Sequence, residues 1–277
     1  MYTYIDSVED LIILNKELLE KPYLGVDTEF RRTTKDNMRL ALLQVNDGEE
    51  IYLIDTILID NPEDNCNFLY SDEVIKVFHS CKEDLEAIHS WTGHKMVNLF
   101  DTQLANAFLG GNFSIGYQGL VEEKLDIRLD KMETRSNWLR RPLSDSQLSY
   151  AVSDVEYLIH LYLEQESLLT STKKMVWYKE ELEFLISRTF LLNSFSDDIA
   201  CPITKSEEKD LLNKFNKVVL KISKEIQVNS TLFFSKRFQK EFIRLALAKG
   251  QDEAYKEITV WRKELIKDSF NSLISEF

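Results

Sequence analysis

The chain has 277 residues, 44% of them apolar or aromatic, and a formal net charge of −13. That composition allows one large domain or a medium one with a small companion, and it excludes a low-complexity chain. There is no run of about 18 or more apolar residues, the opening MYTYIDSVEDLIILNK lacks the order of a secretory signal, and Cys66, Cys81 and Cys201 are too scattered for a disulfide framework. The expected setting is a reducing cytoplasm with no membrane partner.

In chain order, SVEDLIILNKELLEK (7–21) reads as a helix with Ser7 as N-cap and acids in the first turn. YLGVDTEF (23–30) reads as a strand, bounded by Pro22 and a charged run. Residues 38–56 read as strand, Asp-Gly turn and strand, a hairpin beside the first strand. EVIKVFHS (73–80) is a buried strand running into a short helix stopped at Gly93. NLFDTQLANAFLGG (98–111) gives a strand end and a helix, and residues 144–170 give one long helix capped by Ser144. Residues 193–206, rich in Ser, Asp and Pro, form the best linker, and the remainder reads as amphipathic helices. The expectation is a mixed α/β body of three strands in a meander with further strands and helices, plus a small all-helical C-terminal unit. From Lys205 onward, 15 Lys and Arg face 11 Asp and Glu, against 19 and 36 before it. A mildly basic tail on an acidic body is compatible with nucleic acid at the tail and metal ions in the body.

Asp27 and Glu29 stand two apart on a strand, so both side chains share a face. Like charges so close raise each other's pKa or demand a cation. Asp84 opens the helix after EVIKVFHS, and Asp154 lies one turn after Tyr150 in YAVSD. If both helices pack on the face bearing Asp27 and Glu29, four carboxylates and a phenol converge. Hard oxygen ligands select Mg²⁺ or Mn²⁺. Two such ions about 3.5–4 Å apart serve in-line displacement at phosphorus.

DTEF, HSCKEDLEAI and YAVSD, in this order and spacing, resemble the three exonuclease motifs of the DEDD superfamily with a tyrosine in the last motif. FDTQLANAFLG and SNWLRRPLSDSQLSYAVSDV resemble the ribonuclease D family in particular, over roughly residues 1–168. The resemblance implies an RNase H-like α/β exonuclease fold with a mixed sheet and two divalent cations, Mg²⁺ or Mn²⁺. It implies that Asp27 bridges both ions, that Glu29 and Asp154 complete the site of the attacking water, and that Asp84 supports the second ion, with Tyr150 orienting the water. Phe30, His79, Trp138 and Arg141 are candidates for substrate contact, although His79 also suits a supporting role and Trp138 simple packing. Asp101 reads as a helix cap in preference to a metal ligand, His89 and His94 as surface residues in preference to a zinc pair, and Gln44 as a tie between sheet and neighbour in preference to a substrate contact. Arg31, Arg32, Lys35 and Arg39 either flank a substrate channel or form a wet face.

The tail ISKEIQVNSTLFFSKRFQKEFIR with VWRKELI resembles an HRDC domain, with Val260 where that module has glycine and only one module visible. Phe234, Lys236, Arg237, Phe238 and Lys240 interleave aromatic and basic types, for single-strand binding or for a core coated with cations. The expected division is residues 1–168 for the exonuclease, 169–206 for a helical connector and linker, and 207–277 for the HRDC-like unit. The implied activity is 3′→5′ hydrolysis of structured RNAs such as tRNA precursors, with no obligate protein partner. A proofreading or Werner-type DNA exonuclease and a catalytically silent RNA-binding module are the alternatives.

Overall fold

The computed structural model describes residues 2–34, 37–59, 62–129, 136–190 and 201–276. Two compact units emerge, one of residues 1–103 and 114–167, the other of residues 104–113 and 168–277. No helix among the described residues is long and apolar enough to cross a membrane.

The first unit is built on a six-stranded mixed sheet in the order β1-β4-β3-β2-β5-β6, where β1 is Tyr2–Ile5, β2 Tyr23–Thr34, β3 Asn37–Asn46, β4 Ile51–Ile54, β5 Ile75–Phe78 and β6 Leu99–Asp101. β2, β3 and β4 form the expected antiparallel meander, while β1 joins β4 and β5 joins β2 in parallel. β3 supplies a buried apolar run, Leu40, Ala41, Leu42, Leu43 and Val45. Burial of each Leu or Val there contributes about 1.5–3 kcal/mol. At the β3–β4 turn, Asp47 accepts from the Glu49 and Glu50 amides, and Gly48 takes a φ of 92° that side chains resist.

Helix α1 (Val8–Leu18) starts where the Ser7 hydroxyl accepts from the Asp10 amide. Helix α2 (Lys82–Thr92) packs against β2 and β3 and stops at Gly93, whose φ is 72°. Helix α3 (Thr102–Phe108) follows β6, and α4 (Tyr117–Leu125) was not foreseen. The long helix expected over 144–170 is two, α5 (Asp145–Glu156) and α6 (Leu158–Ser171). Ser144 and Gln147 cap α5 reciprocally. The break at Tyr157 follows from tertiary partners. Asn46 donates to the Val155 and Glu156 carbonyls at 3.0 and 3.2 Å, and the Tyr157 amide donates to the Tyr117 hydroxyl at 2.9 Å.

Close approach of this junction to β2 needs Gly25. A Cβ there would lie 3.1 Å from Leu158 Cβ and 3.3 Å from the Val155 carbonyl. Gly25 and its partner Asn46 therefore mark the sheet face that α5 covers, and Asp27 and Glu29 follow at period two on that face.

The second unit is helical: α7 (Met175–Thr189), α8 (Lys205–Glu225), α9 (Ser230–Phe234), α10 (Lys236–Lys249), α11 (Gln251–Tyr255) and α12 (Val260–Ile274). Part of the span expected as a connector is thus a helix packed within this unit. Glu180 of α7 accepts from the first amides of α12, and Glu181 pairs with buried Arg262 at 2.7 Å. Residues 193–200, the greater part of the linker expected at 193–206, lie outside the described residues. Phe234 is 1% exposed among Phe215, Phe238 and Phe242. Phe234 is therefore core, and single-strand stacking on it is corrected to packing, while Phe238 is half-buried. Lys236, Arg237 and Lys240 are exposed.

Candidate active site

One carboxylate oxygen from each of Asp27, Glu29 and Asp154 lies within 4.8 Å of the others. The first two come from β2 and the third from the last turn of α5. With Tyr150, His79 and Tyr117 they line an open pocket of about 280 Å³.

Asp84 joins from the other side of the strand. Thr28, between the two acids in sequence, projects opposite to them, and its hydroxyl donates to Asp84 Oδ1. The condition that both acid-bearing helices cover the Asp27 face is met by α5 alone: Asp84 approaches from the Thr28 side. Its charge still raises Asp27. A left-handed turn at Ser80, φ 67°, aims this segment. Asp101 holds the turn, accepting from the Ser80, Cys81 and Gln103 amides at 3.2, 2.8 and 2.9 Å. That matches the cap reading of Asp101 and sets it apart from the three-acid group.

The site's electrostatics follow from crowding in a poorly hydrated place. Burial, then the charges of Asp84, Asp154 and Glu29, pushes Asp27 well above the carboxylate range. Burial, then Asp154 and Asp84, lifts Glu29 to about 9. Burial lifts Asp84 to about 7 against the Thr28 hydrogen bond, and Asp154 to about 7 against a hydrogen bond from Tyr150. The Tyr150 phenol is itself raised, by burial and then by Asp154 and Glu29. Hard oxygens that close, unable to ionise together unaided, fit a divalent cation such as Mg²⁺ or Mn²⁺.

A pH dependence follows. These carboxyls have folded values above their ordinary 3.8 and 4.5. Their contribution to stability is complete below the ordinary values and is lost progressively from there as pH rises through the folded values of about 7 and 9. In EDTA the melting temperature should fall across that window, and Mg²⁺ should raise it more at about pH 8 than at about pH 5. Calorimetric scans with and without Mg²⁺ check this; a cation effect equal at both pH values would contradict it.

The remaining candidates divide. His79 lines the pocket, but its Nε2 donates to the Ile115 carbonyl and its Nδ1 meets the Thr102 hydroxyl, both at 2.9 Å. Burial lowers its pKa against the pull of Asp101. The ring thus secures the segment carrying Tyr117. Trp138 is 5% exposed, its ring 6.1 Å from Tyr150, so it backs the phenol rather than facing the pocket. Phe30 follows a bulge after Glu29 and pairs with Leu40, outside the pocket lining. Arg141 is a correction. Its guanidinium is committed to buried Asp55 and to the Trp138 and Ala41 carbonyls, both at 2.7 Å, which leaves it a structural tie. Arg32 pairs with Glu86, Arg31 and Arg39 are exposed cross-strand partners, and Lys35 lies outside the described residues. His89 Nδ1 bonds the His94 carbonyl at 3.1 Å. Tyr117, Thr28 and Gly25 were missed; none has a charge or spacing that marks it in the sequence.

A family model described as 3′-5′ exonuclease matches residues 2–169. Ribonuclease D of Pseudomonas paraeruginosa is 45% identical over 166 residues, 60% of this chain and 44% of that protein. Ribonuclease D of a Shewanella species is 36% identical over 183 residues, 66% of this chain and 47% of that protein. The chain thus spans less than half the length of these curated relatives. The crystal structure of Escherichia coli RNase D superposes with a TM-score of 0.67 at 23% identity, covering 100% of this chain and 75% of that one, a likeness of fold. With the match running through every strand of the sheet and through Asp27, Glu29, Asp84 and Asp154, the chain belongs to the 3′-5′ exonuclease family.

Proposed function

We propose that this protein is a metal-dependent 3′→5′ exoribonuclease that releases nucleoside 5′-monophosphates. The observation that carries the reading is the cluster of Asp27, Glu29 and Asp154 within 4.8 Å, with Asp84 electrostatically joined to it. Asp27, Glu29, Asp84 and Asp154 would hold two divalent cations, Mg²⁺ or Mn²⁺. Bound there, the cations would supply a water acidified toward neutral pH and would stabilise charge on the leaving oxygen. In the hydrolysis the water oxygen bonds to phosphorus, the P–O3′ bond breaks, and the 3′-oxygen takes a proton. Tyr150 stays protonated because burial and its acidic neighbours raise it. It is therefore a donor that orients Asp154 and the water, not the general base. Tyr117 ties the pocket wall to the end of α5.

For substrates we assign 3′ ends of structured RNAs, such as tRNA precursors, met in the cytoplasm without an obligate protein partner. The relatives named Ribonuclease D support RNA as the substrate, and the E. coli enzyme, described as an exoribonuclease involved in structured RNA processing, supports structured RNA. We read the helical unit as an HRDC-like guide for RNA, on the exposed cations Lys236, Arg237 and Lys240. The test is a tRNA precursor with a labelled 3′ extension beside a matched DNA. Stepwise release of 5′-mononucleotides from RNA, stopped by EDTA and resumed with Mg²⁺ or Mn²⁺, is expected. Preference for DNA would favour the proofreading reading, and binding without cleavage would favour the silent module.

A further inference from the structure

Gln44 sits where an apolar residue would be expected. β3 reads Leu40, Ala41, Leu42, Leu43, Gln44, Val45, and each of these is at most 3% exposed. Gln44 itself is fully buried, and neither its Nε2 nor its Oε1 has a hydrogen-bond partner. An orphaned buried polar group costs about 1–3 kcal/mol, so the packing of the sheet alone does not account for an amide here.

The register supplies the reason. Gln44 is the direct partner of Asp27 on β2 and of Leu53 on β4. Direct antiparallel partners project to one face with Cβ atoms about 4.5–5.5 Å apart. That face is the one under α5, as the Gly25–Asn46 pair one pleat away shows. Asn46, the other buried amide on this face of β3, spends its Nδ2 on the Val155 and Glu156 carbonyls. Gln44 has no such carbonyl partner. In its row across β4, β3 and β2, the polar side chain beside it is the Asp27 carboxylate.

We propose that Gln44 is a positioning residue for Asp27. With a divalent cation held at Asp27, the Gln44 amide would donate an N–H to one carboxylate oxygen. That bond fixes the carboxylate's rotamer and leaves its other lone pairs facing Glu29 and Asp154. Such supporting hydrogen bonds set ligand orientation, and their loss weakens metal binding about 10- to 100-fold. The inference rests on the cation site proposed above, but its test does not need RNA.

The experiment titrates Mg²⁺ into EDTA-stripped full-length protein by calorimetry, for the natural chain, Gln44→Leu and Gln44→Met. Melting temperatures are recorded in EDTA. Both variants replace an orphaned amide with an apolar side chain of similar size. The expected result is a metal-free melting temperature equal to or above that of the natural chain, Mg²⁺ affinity reduced at least about tenfold, and a lower kcat with unchanged KM for RNA. Natural Mg²⁺ affinity in either folded variant would overturn the proposal. So would a fall in metal-free melting temperature in both variants with affinity intact, the sign of a purely structural residue. If the natural chain itself binds no Mg²⁺, the cation site falls and this inference with it. If the natural chain and the variants bind alike, only this inference falls.

Discussion

Asp27→Asn should abolish turnover, by about 10³-fold or more, while making the metal-free protein more stable. Removing one preorganised electrostatic element commonly costs about 10²–10³ in rate, and Asp27 stands in the middle of the acid group on both counts of geometry and charge. It shares the 4.8 Å cluster with Glu29 and Asp154, and it also feels Asp84. Asn keeps the shape and removes the charge. The same crowding predicts the second half of the result. Asp27's folded value is raised by burial and by three like charges, so its ionised form opposes folding at neutral pH in the absence of cations. The variant should therefore melt higher than the natural chain in EDTA at about pH 8, and Mg²⁺ should no longer raise it to the same extent. An inactive variant that simply unfolds would show the opposite shift. The paired measurement is single-turnover RNA cleavage with melting in EDTA; near-normal cleavage in Mg²⁺ would defeat the mechanism.

Tyr150→Phe should lower kcat by about 10²-fold, the low end of what a positioned proton-handling group contributes, without shifting the pH profile. The phenol lines the pocket with Asp154, its largest electrostatic neighbour, and is backed by Trp138, whose ring lies 6.1 Å away. Burial, Asp154 and Glu29 all raise its pKa, which keeps the proton on oxygen throughout the working range. A general base would leave an ionisation in the rate profile, and its loss would move the profile. An orienting donor leaves none. Removing the donor also frees Asp154 from the hydrogen bond that lowers it, so the metal-free Asp154 carboxyl should titrate higher in the variant. With Mg²⁺ saturating, so that the Asp154 shift is masked, a displaced acidic limb in the profile of kcat would favour Tyr150 as base.

Much of this site was legible because its acids sit on local patterns. Asp27 and Glu29 lie at strand spacing, and Tyr150 and Asp154 lie one helical turn apart. Ser7, Asp47-Gly48, Gly93 and Ser144 mark their caps and turns in ways that need no tertiary knowledge. What escaped depends on partners far away in the chain. Residues 144–170 carry continuous helical spacing, and only Asn46 and Tyr117 reveal why the helix breaks at Tyr157. Tyr2–Ile5 becomes a strand by pairing with Ile51–Ile54, too short a segment to declare itself alone. Arg141 is a substrate-contact candidate by sequence because Asp55, 86 positions earlier, is not visible beneath it. Sequence leaves the face of Asp84 conditional on helix packing, and the Thr28 hydroxyl meets it on the side opposite α5.

The direct test of the cation cage is a count of ions. Mn²⁺ titrated into EDTA-stripped protein and followed by electron paramagnetic resonance should saturate at two ions per chain. Asp27→Asn should lose that stoichiometry. Mn²⁺ remaining free in the presence of the natural chain at millimolar concentration would contradict the account.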